Sequence, residues 1–365
     1  MRPRTARSLL FGLLLAGAAL TGVLLLRTPT FTVGVLYSDY PPFLATEVDM
    51  LSTAQAYVDW YNDRGGPVRL RLVAAPFSLD PEAAFEEFRR HRAAVVLGGS
   101  LSELAESALP HAARHRIPFV SPTAQTESFQ GLDDWFFRVQ MSLNRTTERT
   151  VALLRHLQAD RVVAFVSRRN EAYGLETVRR TRDAAGIPVE IIDAEGDVNA
   201  RRDWMKGQEA PSVAWIVATP ETSYWLCHLV RNHWPETTLL LSIWSLSSGH
   251  ERLDDIGGLS FYFVENYDPW LEEKGGADPF RDAVHAAYGR SLSMLFHYTT
   301  AAMDLIAAAA EEDPRARGEA LRRNLAPRTV RRPGWTVTLD GWGDPKGRPR
   351  IFRRDPEGVE EVLLP

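Results

Sequence analysis

The sequence predicts an α/β protein of two doubly wound parallel-sheet lobes, joined by a three-segment hinge and preceded by one N-terminal hydrophobic helix. Short apolar runs typical of strands alternate with amphipathic helices along almost the whole chain, which indicates parallel sheets covered by helices. The alternation restarts near residue 145, and no low-complexity linker separates the two halves. We therefore expect two lobes that are connected by short ordered segments.

Extended segments that would cross between the lobes set the predicted domain boundaries. They lie near Phe137, near Phe263 and at 328–333. The predicted segments are 1–27 for a signal or anchor, 30–139 plus 266–327 for the first lobe, and 140–265 plus 328–365 for the second lobe.

The composition is that of a globular protein and excludes several functions. Of 365 residues, 45% are hydrophobic and 24% are charged, with a net charge of −5. There is no long basic run, so nucleic acid is not an expected partner. The single cysteine, Cys227, excludes an internal disulfide and a cysteine-rich metal site. We expect no cofactor.

The N-terminus carries the strongest local signal. Arg2, Arg4 and Arg7 precede an uncharged, mostly apolar run at 8–26, which approaches the ~20 residues of a membrane-spanning helix. We expect export to the periplasm, with residues 8–26 as an uncleaved anchor in the inner membrane. A removed signal peptide, cut near residues 16–18, is the alternative.

The first half of the chain contains the elements of one lobe. Alternating β-branched and aromatic residues predict a strand at 31–37, and apolar positions at three- and four-residue spacing predict a helix over 47–62. The further elements are strands at 68–75, 93–97 and 117–120, helices over 81–91 and from residue 100 onward, and a short extended segment at 135–139.

The second half repeats this pattern. Helices are predicted over 145–157, 173–185 and 220–233, and strands at 162–167, 189–193, 213–218, 238–242 and 259–265. The chain ends with helices over 280–288, 293–311 and 316–324, and with a hairpin that pairs 335–339 with 349–353.

Small hydroxyl side chains follow two neighbouring strands of the first half. Ser100 either caps the next helix in a capping box with Glu103 or contributes to a ligand site at the helix N-terminus. Ser102, Ser121 and Thr123 add hydroxyls at the carboxyl ends of both strands, where open parallel sheets bind ligands. The sequence therefore predicts a binding site at this edge.

Further polar and aromatic residues mark other predicted strand ends. Tyr37 follows the first strand, Tyr173 opens a helix in the second half, and Thr219 and Trp244 follow two later strands. Each aromatic could cover the edge of a core. Together they indicate a cleft between the lobes with aromatic walls and hydroxyl donors.

No catalytic motif is present in the sequence. There is no Walker-type loop, no G-x-G-x-x-G after the first strand and no G-x-S-x-G elbow. His111 and His115 are four residues apart on one helix, but neither a carboxylate nor a third histidine lies in an obvious position near them. We therefore expect surface histidines, no metal site, no catalytic residue and no enzyme activity.

The order of these elements resembles the type I periplasmic substrate-binding proteins, the group that binds branched-chain amino acids and amides, and the related receptor ligand-binding regions. The resemblance covers about residues 31–353. The matching motifs are FTVGVLYS at 31–38, YNDRGG at 61–66, GSLS at 99–102, IPFVSP at 117–122, EAYG at 171–174, LFHYTTAAMDL at 295–305 and LDGWGDP at 339–345.

The resemblance implies two lobes that are joined by three crossovers and close on a ligand. It implies that Ser102 and the backbone of Ser100 hold ligand oxygens. Ser121 and Thr123 would hold the polar group of the ligand, and Tyr173 would close over it from the second lobe.

Two positions depart from the pattern of that family. Tyr37 lies where first-loop residues approach the ligand, but residues 39–42 read Asp-Tyr-Pro-Pro where the family usually has a small Gly-Pro turn. After the strand at 238–242, amino acid binders place an acid, whereas this chain has Trp244 and its neighbours. A neutral amide, a carboxylate or an aromatic compound therefore fits as well as an α-amino acid.

The resemblance predicts a non-enzymatic solute-binding protein that captures a small polar or aromatic molecule of the amino acid, amide or carboxylate class in the interlobe cleft. The expected partner is a permease of the ABC type. The alternative is a membrane-anchored regulatory or sensory protein that uses the same fold to contact an envelope protein.

Overall fold

Two sheets of mainly parallel strands, each covered by helices, form the described part of the protein. The computed structural model describes residues 28–39, 41–77, 80–246, 259–267, 278–288, 293–333 and 335–364. The predicted anchor at 8–26 lies outside these ranges. Within them, no helix has both the length and the apolar character needed to cross a membrane.

The first sheet contains five parallel strands: β1 Thr30–Tyr37, β2 Arg69–Pro76, β3 Val95–Gly98, β4 Phe119–Ser121 and β5 Phe136–Arg138. Their order across the sheet is β2-β1-β3-β4-β5. Side chains of β1 alternate between two cores, because Val33 and Val35 belong to one and Leu36 belongs to the other. Both faces of this sheet are therefore buried.

The second sheet is built from strands at two places in the chain. It begins with β6 Val162–Val166, β7 Val189–Asp193, β8 Val213–Val217, β9 Thr238–Leu241 and β10 Phe261–Glu265. A separate antiparallel pair follows, β11 Thr329–Arg332 and β12 Trp335–Thr338. The chain then adds β13 Arg350–Asp355 and β14 Gly358–Glu361, which gives the order β14-β13-β10-β9-β8-β6-β7.

Helices connect the strands. Their bounds are α1 Pro41–Asp63, α2 Pro81–Arg90, α3 Ser102–His115, α4 Leu143–His156, α5 Gly174–Ala185, α6 Val198–Lys206, α7 Pro220–His233, α8 Pro279–Tyr288, α9 Met294–Glu312 and α10 Glu319–Leu325. Asp80, Thr219 and Ser293 cap α2, α7 and α9 with side-chain oxygens, which fixes where these helices begin.

The five parallel strands of each sheet have the same relative order, β2-β1-β3-β4-β5 in the first sheet and β7-β6-β8-β9-β10 in the second. In each sheet the order reverses between the first and the third strand of the lobe, β1 and β3 in one case and β6 and β8 in the other. Parallel sheets bind ligands outside the carboxyl ends of the strands at such a reversal. The topology thus identifies two strand edges that can supply a ligand site.

The chain passes between the two sheets three times: after β5, after β10 and after β12. This arrangement confirms the predicted fold class of two doubly wound lobes joined by a three-segment hinge. The first two crossings follow β5 and β10, near the predicted positions Phe137 and Phe263, whereas the third follows β12 and lies beyond the predicted segment 328–333, which forms β11.

Two local predictions at helix starts are wrong. α1 begins at Pro41 and not at residue 47, because proline fits the first turn of a helix. α3 begins at Ser102 with Leu101 as its N-cap and no side-chain cap hydrogen bond, so Ser100 and Glu103 do not form a capping box. Ser100 lies in the loop between β3 and α3.

The predicted closing hairpin is also wrong. β12 pairs with β11, while β13 pairs with β10 and β14, and a single bridge between Leu339 and Pro345 is what remains of the expected turn. β13 pairs with β10 and not with β12, because its apolar residues Ile351 and Phe352 complete the core of the second sheet. Helix α6 and strands β11 and β14 were not predicted.

Candidate ligand-binding site

A cavity of about 450 Å³, counted with its open mouth, lies between the two lobes. Five of the eight predicted site residues line it: Ser100, Ser102, Thr123, Tyr173 and Trp244. Its other described lining residues, which sequence reasoning missed, are Leu101, Asn170, Ile243, Met294 and Leu295.

The first lobe supplies the loops after β3 and β4. Gly99 makes the turn out of β3 with a φ of +64°, and a Cβ there would lie 2.9 Å from the Cβ of Ala105 in α3. Glycine thus allows the loop to turn tightly against the helix. As a result, the Ser100 and Ser102 side chains line the cavity beside Thr123 from the neighbouring strand end.

The hydroxyl groups on this wall already hold the loops in place. Thr123 Oγ1 donates a hydrogen bond of 2.6 Å to the carbonyl of Ser100. Ser102 Oγ accepts one of 3.1 Å from the backbone N–H of Gln125. Thr123 therefore retains lone pairs that can accept from a ligand, and Ser102 retains a proton that can be donated to one.

The second lobe supplies residues after β6 and β9. Ser167 caps the 3₁₀ turn that follows β6, and this turn carries Asn170 at its end. Asn170 is 3% exposed, and its Oδ1 has no hydrogen-bond partner among the described residues. A buried acceptor of this kind is costly unless a ligand or water satisfies it. The strand-end rule that identified Tyr173 could also have identified Asn170.

Tyr173 stands at the N-cap of α5 and is almost completely buried. Burial raises the pKa of its phenol above the ordinary value, and a nearby charge on Glu265 acts in the same direction, while hydrogen bonding to Ser242 opposes the shift. The phenol is therefore neutral at physiological pH and can act as both donor and acceptor.

Three predicted site residues do not line this cavity. Ser121 is fully buried, donates to the carbonyl of Gly99 at 2.7 Å and accepts from the N–H of Ala124 at 3.0 Å, so its hydroxyl ties the β3 and β4 loops together. Thr219 caps α7. Tyr37 is the last residue of β1 and is half-buried against the core.

The described lining residues carry hydroxyl, amide and indole groups but no charged side chain. Apolar side chains from both lobes make up most of the wall, including Leu101, Ile243 and Leu295. This surface can enclose a small molecule with an apolar or aromatic body. The Ser, Thr, Asn and Tyr groups would satisfy its polar atoms.

Comparisons with known proteins agree with this architecture. A family model described as periplasmic binding protein matches residues 30–201. The structure of the branched-chain amino acid transporter substrate-binding protein LivJ from Streptococcus pneumoniae, in complex with isoleucine, is 17% identical and has a TM-score of 0.76. It covers 91% of this chain and 99% of that chain. A comparison with curated protein sequences found no match.

Two further solved structures share the fold. The leucine-binding protein LivK from Thermotoga maritima has a TM-score of 0.73 at 15% identity, covering 91% of this chain and 98% of its own. A solute-binding protein of an ABC transporter from R. palustris, in complex with benzoate, has a TM-score of 0.73 at 14% identity, covering 91% of this chain and 95% of its own.

The two lobes, the three crossovers and the cavity between the lobes define a type I periplasmic binding fold. The family match and the shared fold confirm the resemblance to the type I periplasmic substrate-binding proteins.

Proposed function

We infer that this protein is a non-enzymatic solute-binding protein that captures a small polar or aromatic molecule between its lobes. One observation carries this proposal: a cavity lined from both lobes by hydroxyl, amide and aromatic side chains at the carboxyl ends of parallel strands. Binding across two lobes stabilises the closed arrangement only through contacts that are made on both sides.

The lining favours a carboxylate, an amide or an aromatic compound over an α-amino acid. Trp244 and Ile243 occupy the strand end where the resemblance leads one to expect an acid for an ammonium group. The benzoate in the R. palustris neighbour and the isoleucine in LivJ belong to those proteins. They indicate that the fold accommodates both kinds of ligand, and they guide the choice of candidates.

The partner proposed for this function is an ABC-type permease, with the protein in the periplasm and anchored by residues 8–26. The alternative is a membrane-anchored sensory protein that contacts an envelope protein. The transport function requires that the protein bind a solute, whereas the sensory function does not.

A thermal-shift screen of the purified full-length chain tests the proposal. The candidates are amino acids, amides, short carboxylates and aromatic acids. A ligand at 100-fold above its Kd should add about 2.7 kcal/mol to the free energy of unfolding. A clear rise in Tm for one chemical class supports solute capture. No shift with any class would contradict it and favour the sensory alternative.

A further inference from the structure

Two glutamates and two histidines meet on the surface of the first lobe, on helices that contact each other side by side. Glu82 and Glu86 are one turn apart on α2, and His111 and His115 are one turn apart on α3. Residues four apart lie on the same face of a helix. We name these four residues the Glu/His cluster.

Glu82 bridges the two histidines. His111 Nδ1 lies 2.6 Å from Glu82 Oε2, and His115 Nε2 lies 2.9 Å from Glu82 Oε1. Sequence reasoning found no carboxylate near these histidines, because it considered neighbours in sequence and this carboxylate comes from the facing helix.

The spacing of the cluster suits a metal ion. One ligand atom each from Glu82, Glu86 and His115 lie within 4.8 Å of one another. Around Zn²⁺, with nitrogen and oxygen ligands at ~2.0–2.1 Å in a tetrahedron, neighbouring ligand atoms are about 3.4 Å apart. The three ligand atoms lie within 4.8 Å of one another, so binding requires them to move closer together.

The histidine rings are held by the core beneath them. Phe85 is fully buried, and its ring stacks against His111 at 6.2 Å and against His115 at 6.0 Å between centroids. The side chain of His115 is 8% exposed and that of His111 is 21% exposed. The cluster is thus partly ordered in advance and remains open to an ion from solution.

Positive charges near the cluster can move aside. Arg114 Nη1 lies 2.9 Å from Glu82 Oε2, and Arg89 Nη2 lies 2.7 Å from Glu86 Oε2. Both arginine side chains are more than 60% exposed, so solvent screening keeps these pairs weak.

We propose that Glu82, Glu86 and His115 bind one Zn²⁺ ion and so fasten α2 to α3. Imidazole and carboxylate together suit zinc, and two carboxylates balance the charge of the ion. α3 carries Ser102 at its first turn and His115 at its last residue, about 20 Å apart along the helix. The ion would therefore stabilise the helix that carries a cavity residue without entering the cavity.

Isothermal titration of the full-length chain with ZnCl₂, after treatment with EDTA and removal of the chelator, tests this site. The variants are His115→Ala and Glu82→Gln, and the matched control is His91→Ala. His91 pairs with Glu87 at 2.8 Å on the same helix, also four residues apart, but it is not part of the cluster.

We expect one Zn²⁺ per chain and a higher Tm with zinc for the wild type and for His91→Ala. His115→Ala and Glu82→Gln should weaken binding by more than about tenfold, since even outer-shell changes weaken metal binding by 10–100-fold. If His115→Ala does not fold, Glu86→Gln replaces it, because its side chain is more exposed than that of His115. Absence of binding in the wild type, or equal binding in the cluster variants, would overturn the proposal.

Discussion

The carboxylate of Glu265 lies 2.8 Å from the amide nitrogen of Gln140, and this contact joins two of the three crossovers. Gln140 follows β5, and Glu265 ends β10. The third crossover reaches the same cluster, because Arg350 at the start of β13 donates to the carbonyl of Asn266 at 3.1 Å. All three segments of the hinge therefore meet at one buried polar group.

Glu265 should make the stability of the protein depend on pH. Burial raises its pKa from the ordinary value of 4.5 to about 7, although Tyr298, Gln140, the N–H of Asn266 and Arg350 all favour its ionised form. Between pH 4.5 and 7 the unfolded chain releases this proton before the folded chain does. The contribution of Glu265 to the free energy of unfolding is therefore largest below pH 4.5. It falls by roughly 3 kcal/mol as the pH rises to about 7 and is constant above that pH.

Urea unfolding at a series of pH values from 4.5 to 8 measures this contribution. Glu265→Gln cannot ionise and should make the decrease smaller by this amount. Part of the decrease should remain, because burial also raises the pKa of Asp134 to about 6. A variant with the same pH profile as the wild type would show that other groups cause the dependence.

Replacing Ser102 should affect ligand affinity, whereas replacing Ser121 should affect stability, although the two residues lie near the ends of neighbouring strands. Ser102→Ala removes a hydroxyl that lines the cavity, so the affinity for the ligand identified by thermal shift should fall by about tenfold, the equivalent of one hydrogen bond of about 1.4 kcal/mol. Ser121→Ala leaves the carbonyl of Gly99 and the N–H of Ala124 without their buried partner. It should lower the free energy of unfolding by about 1–3 kcal/mol with little change in affinity.

Titration calorimetry on the two folded variants separates these effects. Equal affinity in the Ser102 variant and the wild type would argue against the assigned cavity wall. A loss of affinity in the Ser121 variant alone would indicate that loop position matters more than the hydroxyl at Ser102.

The fold and most of the cavity could be predicted because both follow from local patterns. β6 and β8 are continuous apolar runs, buried along their whole length, and runs of this kind identify central parallel strands. Ser102 and Thr123 follow such strands directly. The rule that strand ends carry ligands therefore identified them without any knowledge of the tertiary structure.

The contacts that could not be predicted depend on residues far apart in sequence. Glu82 lies 29 positions from His111, and Gln140 lies 125 positions from Glu265, so neither pairing leaves a local pattern. The error at β13 has the same origin. A strand next to a possible turn suggests a hairpin, but the core of the second sheet decides its partner.

Gly343 should be needed for stability, because it lies where the segment after β12 approaches β5 closely. Its φ is +93°, and a Cβ at this position would lie 2.7 Å from Phe137 and 2.8 Å from the carbonyl of Phe136. Gly343→Ala should therefore lower the free energy of unfolding by about 2–4 kcal/mol, from overpacking and from backbone strain. Gly341→Ala is the matched control, because no atom lies within 4 Å of its Cβ position. Thermal unfolding of the two variants provides the comparison. Similar Tm values would show that a Cβ at position 343 does not clash with Phe136 and Phe137.

Arg332 in β11 forms ion pairs with Asp278 and Asp304, and its side chain is 7% exposed. Asp304 lies in α9 and also accepts a hydrogen bond of 2.6 Å from the hydroxyl of Tyr57 in α1. The guanidinium thus compensates two carboxylates and links β11 to helix α9. Its removal leaves buried negative charge without a partner.

Arg332→Met should lower the free energy of unfolding by about 3–5 kcal/mol, the cost of breaking a buried ion pair from one side. Arg331→Met is the matched control, since Arg331 is exposed on the same strand and its replacement should cost less than about 0.5 kcal/mol. Urea unfolding at pH 7.5 measures both variants. Because the cost arises from unpaired carboxylates, replacing Asp278 and Asp304 by Asn in the Arg332→Met background should recover part of the loss. A triple variant no more stable than Arg332→Met would show that packing, and not charge, sets the contribution of Arg332.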